Sequence, residues 1–198
     1  YFNYSINQDL RDNRFRTESG YVTTFSQELP VISDNSELSN AFIITNYKKL
    51  SSTSDMVGKV SFYGKTITGL SDDVRISKRL NIPSSRLRGF QRGKVGPVEN
   101  SDYIGGNYVS SLNFSATLPN LVQGLDNLDV GVFVDAANIW GVDYDSSIDD
   151  KSTIRSSTGV ALNLMTPIGP LSFSFANSLS KASTDKTETF RFNLGTQF

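Results

Sequence analysis

The stretch Arg86–Pro97 (RLRGFQRGKVGP) gathers groups able to bind anions: four arginines and lysines, three glycines and no acid. Between Val74 and Val98 the count is seven Lys/Arg and no Asp/Glu. A guanidinium forms paired, charge-assisted hydrogen bonds to a carboxylate or a phosphate. Four uses are therefore open: a phosphate cradle, a nucleic-acid grip, a plug, or a solvated surface loop. The glycines at 89, 93 and 96 match neither a Walker loop nor a dinucleotide fingerprint, and no helix follows to offer its N-terminus. Aromatic platforms are not interleaved with the cations, which argues against nucleic acid.

Composition removes most catalytic devices. The chain has no cysteine and no histidine, so disulfides, thiol catalysis, Ser-His-Asp triads and the common zinc sites are excluded. Net charge is −1, and any anion preference must be local. Asp143, Asp145, Asp149 and Asp150 form an acidic patch, but EF-hand glycine and terminal glutamate spacing are lacking. It reads as a solvated loop. No enzyme, metal or cofactor is expected.

The elements that must position the basic stretch are strands. In 130–139 Val130, Val132, Val134 and Ala136 share one face, and Gly131, Phe133, Asp135 and Ala137 the other. Val160, Leu162 and Leu164 alternate with small or polar residues, as do Leu171, Phe173 and Phe175, then Phe190, Phe192, Leu194 and Phe198. Period two marks strands with one apolar face. Nine strands are expected, at 1–12, 20–30, 38–50, 57–70, 106–118, 129–140, 154–166, 169–178 and 187–198. Several reach ~9–12 residues, the length that crosses a bilayer at a tilt, where sandwich strands average ~5–6. Aromatics near strand ends (Tyr103, Tyr108, Trp140, Tyr144, Phe198) suit interfacial girdles. No apolar run approaches the ~20 residues of a membrane helix. Turns at 13–19, 51–54 and 166–170 are short, 120–127 is somewhat longer, and 71–105, 141–153 and 179–186 are long. Short turns at one end and long loops at the other fit a bacterial outer-membrane barrel. Nine is odd where single-chain barrels are even, Tyr1 starts inside a strand pattern, and no initiator Met or signal peptide precedes it. The chain is thus expected to be part of a larger barrel.

Five stretches resemble the assembly-factor branch of the POTRA-barrel, or bacterial surface antigen, superfamily. RLRGF at 86–90 is similar to the family's Val/Leu-Arg-Gly-Phe/Tyr signature in its long sixth extracellular loop. DLRDNRFRTESG at 9–20 is similar to a turn of the family that opens D-x-R-D-N, with Arg16 where proline is common. Gly105-Gly106-Asn107 opens the strand after the loop. FVDAANIW at 133–140 resembles F-x-D-x-G-x-x-W, with Ala137 for the glycine. GVALNLMTPIGPLSFSFA at 159–176 resembles the last hairpin, in a form closer to assembly factors than to secretion relatives. The terminal Phe198 resembles the aromatic targeting signal of assembled barrels.

The resemblance spans the chain and implies an all-β fold: the C-terminal nine or so strands of a 16-stranded antiparallel transmembrane barrel. Residues 1–198 would form this part, with the POTRA domains and first strands absent and loop 71–105 folded back into the lumen. It implies residence in the outer membrane and assembly of β-barrel proteins there, through a labile seam between first and last strands that templates client strands. Partners would be unfolded client proteins, the machinery's lipoproteins, lipids and lipopolysaccharide. A secretion pore of the same superfamily and a passive porin-like barrel remain as alternatives. In the family, the motif arginine meets a lumen carboxylate, which maps to Arg88 and Asp135. Gly89 would let the backbone approach the wall, and Phe90 would anchor by packing. Many relatives carry a second carboxylate in S-L-E-F, where this chain has Asn113 in SLNF. Phe190, Phe192, Leu194, Gly195 and Phe198 would form the last-strand seam.

Overall fold

Residues of alternating polarity pair edge to edge in the computed structural model, which describes residues 1–14, 16–31, 36–119, 121, 127–166 and 169–194. The strands are β1 (Phe2–Asp9), β2 (Gly20–Leu29), β3 (Glu37–Lys49), β4 (Val57–Gly69), β5 (Val98–Glu99), β6 (Asp102–Tyr103), β7 (Tyr108–Pro119), β8 (Leu128–Trp140), β9 (Arg155–Thr166), β10 (Gly169–Ser180) and β11 (Phe190–Leu194). Nine of them form one antiparallel sheet in the order β1-β2-β3-β4-β7-β8-β9-β10-β11. Neighbours in sequence are neighbours in space, as a meander of a barrel wall requires.

The two faces of this sheet are inverted relative to a water-soluble protein. Phe42, Phe62, Phe114, Val134, Phe175 and Phe192 are exposed, whereas Ser61, Ser111, Asp135, Ser157, Ser172 and Ser174 are buried. In water that arrangement would be unfavourable. Against lipid tails it is the low-energy one, because the apolar side chains face hydrocarbon and every central backbone group is paired strand to strand. The alternation of Val132 and Val134 against Phe133 and Asp135 thus sets which residues meet lipid and which meet the interior.

The polar face is covered by residues 70–107, which carry a core of their own. Val74, Leu80, Ile82, Leu87, Phe90 and Val95 pack together on Ile67, Val109, Ala137 and Ile139 of the sheet. The segment is less irregular than its sequence implied. It holds a 3-10 turn at Ile76–Lys78 and the β5–β6 hairpin. Asn100 and Ser101, both at positive φ, turn that hairpin.

Three strand expectations change, the first being that the strand foreseen at 1–12 ends at Asp9, where the Arg11 guanidinium folds back onto the Asp9 carboxylate. The strand foreseen from residue 187 begins at Phe190, because Thr187 bridges to Phe90 of the long segment instead of to β10. The strand foreseen at 106–118 starts at Tyr108, because Gly106 exchanges hydrogen bonds with Leu80. Gly195, Phe198, Pro167 and Ile168, and most of the 120–127 connection, lie outside the described residues. Of the girdle aromatics, Tyr108 and Trp140 stack with centroids 5.7 Å apart at one strand end. Tyr103 and Tyr144 serve the loops instead: their hydroxyls donate to the Thr184 carbonyl and to Glu99.

Candidate functional site

Register places one polar row across the sheet. Thr45 of β3 lies opposite Ser61 of β4, Ser61 opposite Asn113 of β7, Asn113 opposite Asp135 of β8, and Asp135 opposite Ser157 of β9. All point to the covered face, since period two repeats identically on paired strands. Residues 86–90 run along this row, crossing the strands instead of following one. The Arg86 guanidinium donates to Ser61 Oγ at 2.6 Å, and the Arg86 carbonyl accepts from Asn113 Nδ2 at 2.8 Å. Two residues on, the Arg88 carbonyl accepts from Ser157 Oγ at 2.5 Å.

Arg88 and Asp135 meet at the centre of the row. Arg88 Nε lies 2.7 Å from Asp135 Oδ2 and Nη2 lies 2.7 Å from Oδ1, a two-pronged fork. The Arg88 backbone amide donates to the same carboxylate at 3.1 Å. Asp135 is wholly buried, while the Arg88 side chain is about one-fifth exposed. The guanidinium also lies over the Phe133 ring, 3.5 Å from its centroid. Phe133 and Asp135 are two residues apart on one strand, so both face the loop and together form an aromatic floor and an anionic stop. Phe133 carried no role in the sequence reading, although its i, i+2 relation to Asp135 was visible there.

Asn113 takes a different part from the one its position first implied. It does not accept from Arg88. Its Nδ2 donates to Asp135 Oδ1 at 2.8 Å as well as to the Arg86 carbonyl. An amide adds a donor to a carboxylate that already holds one guanidinium, so the site keeps a single negative charge for a single fork. A second carboxylate here would put like charges side by side.

Gly89 sits at φ +87, in the left-handed region that disfavours a side chain. A Cβ there would lie 3.1 Å from Ala176 Cβ and 3.3 Å from Ser157 Cβ. Both the turn and the close approach to β9 and β10 therefore call for glycine. Phe90 is buried in the segment's core. Of the basic residues in the stretch, Arg92 and Lys94 remain on the exposed side.

Two further arginine–aspartate pairs hold the same covering segment. At its root, Arg79 is fully buried and pairs with Asp143; it also donates to the Val74 carbonyl at 2.9 Å and lies over Tyr144. Asp143 accepts from the Val74 amide at 3.0 Å and from Asn107 Nδ2 at 2.8 Å. Burial alone would raise the Asp143 pKa, but the Val74 amide, Asn107 and the Arg79 guanidinium outweigh it and hold the carboxyl below its ordinary value. Asp143 is thus a structural acceptor, contrary to its reading as part of a solvated acidic patch. At the other end, Arg155 of β9 pairs with Asp185 at 2.9 Å, both buried, and Asp185 accepts from the Gly96 amide at 3.2 Å. Sequence reasoning missed both pairs. Their partners are 64 and 30 residues apart, and the available signal was only an arginine at the start of a strand for Arg155 and a cation of the basic segment for Arg79.

The last strand presents Phe190, Phe192 and Leu194 outward, each about half exposed. Among the described residues it shares five register pairs with β10, from Phe175–Phe190 to Leu171–Leu194. Phe173 packs on Phe192 with centroids 5.1 Å apart, and Phe175 on Phe190 at 5.0 Å.

The chain is similar to known proteins in sequence and in fold. The chain is 25% identical over 199 residues, 98% of its length, to the outer membrane protein assembly factor BamA of Neorickettsia risticii (strain Illinois). It is 30% identical over 141 residues, 57% of its length, to the BamA of Neisseria meningitidis serogroup B. It spans 27% and 17% of those two relatives. The crystal structure of BamA from Haemophilus ducreyi lacking POTRA domains 1–3 superposes with a TM-score of 0.87 at 25% identity, over 96% of this chain and 41% of that one. The nine-stranded sheet is accordingly part of an outer-membrane β-barrel, with its apolar face to lipid. The Omp85 superfamily domain model matches residues 1–198, and the chain belongs to the Omp85 superfamily.

Proposed function

We propose that this chain serves the assembly of outer-membrane β-barrel proteins, with residues 71–105 held in the barrel lumen and the last strand kept available to client strands. The observation that carries this reading is the unequal holding of the sheet. Asp135 on β8 grips the segment through a buried fork, while β11 is approached by chain that has left β10. An available strand edge offers N–H and C=O groups to an incoming strand that would otherwise leave its own unsatisfied in lipid. Client folding would supply the free energy, without nucleotide or covalent chemistry.

The partners of this reading are unfolded outer-membrane proteins, the lipoproteins of the assembly machinery, and the surrounding lipids. The exposed Arg92 and Lys94 are the cations of the 86–97 stretch offered to lipopolysaccharide phosphates in this reading. Phe190, Phe192 and Leu194 form the seam side of the last strand in this reading; Gly195 and Phe198, assigned to the seam from sequence, lie outside the described residues. The name of the BamA relatives, outer membrane protein assembly factor, supports the assembly part of this reading.

The test is barrel insertion by the full-length protein reconstituted in lipid vesicles. Arg88→Ala should slow insertion about tenfold or more, and Asp135→Asn should do the same, with the double variant little worse than either. Wild-type insertion by Arg88→Ala would sink the clamp.

A further inference from the structure

We infer that Arg191 is a positioning residue that locks the last strand to the covering segment, so that this segment's position decides whether β11 is free to part from its neighbours. Arg191 lies on the polar face of β11, opposite Ser174. Its side chain is 10% exposed. Nη1 donates to the Ser84 carbonyl and Nη2 to the Phe90 carbonyl, each at 2.5 Å, across 107 and 101 residues of chain. Nε donates to Glu188 Oε1 at 2.5 Å, which orients the fork from below.

The backbone makes the same connection. The Glu188 amide donates to the Gly89 carbonyl, Gln91 to Lys186, and Lys186 to Lys94. Residues 186–188 therefore pair with residues 89–94, although β10 runs on to Ser180 and pairs there with β9. The lead-in to the last strand is taken from the sheet and given to the segment that covers it.

The fork reads the segment's shape as well as its presence. Ser84 and Phe90 are six residues apart, and both carbonyls reach one guanidinium only while the chain between them stays folded on the polar row. That fold depends on the Arg86 amide bonded to the Pro83 carbonyl and on Gly89 in the left-handed region. A displacement of the segment must either break the Arg191 bonds or draw β11 with it. A lysine, with one compact ammonium, could follow one carbonyl but not both. The functional consequence, control of a client-accepting edge, rests on the assembly reading above. The coupling itself does not.

Hydrogen exchange of the full-length protein in lipid nanodiscs, read by mass spectrometry, tests the coupling. Arg191→Ala should speed exchange of the amides of 190–194 by about tenfold or more, leaving β4 and β7 unchanged. Arg191→Lys should behave like Ala within about threefold, and stands in for it if the alanine variant does not fold. Arg88→Ala should also speed β11, but should add nothing in the Arg191→Ala background. Unchanged exchange at β11, or equal acceleration across all strands, overturns the inference. Faster exchange at β11 with undiminished insertion would leave the coupling standing and remove the assembly reading.

Discussion

Arg88 and Arg191 hold the same segment from opposite sides and with different chemistry. Arg88 belongs to the segment and reaches a carboxylate on β8; Arg191 belongs to β11 and reaches two carbonyls on the segment. At the centre, both partners are charged and Asp135 has no access to solvent. At the last strand, the acceptors on the segment are neutral carbonyls, and the one carboxylate on Arg191, Glu188, belongs to the lead-in of β11 itself and is 28% exposed. Losing one partner of a buried ion pair costs about 3–5 kcal/mol, because the other charge is left without compensation. Losing a charged donor to neutral carbonyls costs about 1.5–3 kcal/mol. The wall is thus fixed firmly at β8 and tied more lightly at β11, which is the order needed if the edge is to open while the segment stays in place.

The largest expected effect breaks the stronger hold. Arg88→Ala should destabilise the protein by about 3–5 kcal/mol, read from urea unfolding in detergent micelles. Arg88→Lys should recover less than half, because an ammonium keeps the charge but not the two parallel bonds or the flat stack on Phe133. Equal losses from Arg88→Ala and Arg191→Ala would remove the contrast between centre and edge.

Gly89→Ala strikes between the two regions. It forces a side chain into the left-handed region and against Ser157 of β9 and Ala176 of β10. The cost should be about 1–3 kcal/mol. The methyl lifts the segment off the two strands nearest β11, so the neighbouring Phe90 carbonyl moves away from Arg191. Trypsin cleavage after Arg92 or Lys94, both already exposed, should become faster while strands β3 and β4 stay protected. Unaltered cleavage would show that the segment can rise without loosening.

Acid should act on a third point, the root. Asp143 has a pKa below its ordinary value in the folded protein, so its contribution is complete above the ordinary carboxylate range and is lost as pH falls through the lowered value. The effect should be smaller than at Arg88, since Asp143 is 29% exposed. The protection factor of the Val74 amide, which donates to Asp143, should drop as the pH is taken from about 5 to below the ordinary carboxylate range. Asp143→Asn should remove that pH dependence. A Val74 amide equally protected at both pH values would place the root's hold elsewhere.

The sheet was legible because alternation is local. Val132, Val134, Phe173 and Phe175 announce their face within a few residues, and a lipid-facing strand needs no distant partner to be recognised. Arg88 and Asp135 became a pair only through resemblance to known motifs, since nothing local joins residues 47 apart. Arg79–Asp143 and Arg155–Asp185 stayed hidden for the same reason. The alternation of Phe190, Phe192 and Leu194 puts Arg191 on the opposite face, but its acceptors on the segment are backbone carbonyls, which every residue has and no side-chain pattern marks. The start of β11 was misplaced because Thr187 has strand-like chemistry and its partner lies on the long segment instead of the sheet.

The smallest effect sharpens the lighter hold. Tyr103 reaches from β6 to the Thr184 carbonyl, in the turn that precedes β11, and Arg155 grips Asp185 of the same turn. The tyrosine bond is exposed, so Tyr103→Phe should cost only about 0.5 kcal/mol in global stability. Its local effect should be larger than its global one. Freed from Tyr103, residues 181–186 remain held by Asp185, and exchange should rise in that turn without spreading to 190–194. Exchange that did spread would mean that the hairpin, and not Arg191, carries the tie to the last strand. Exchange confined to the turn would leave Arg191 as the side chain through which the segment governs β11.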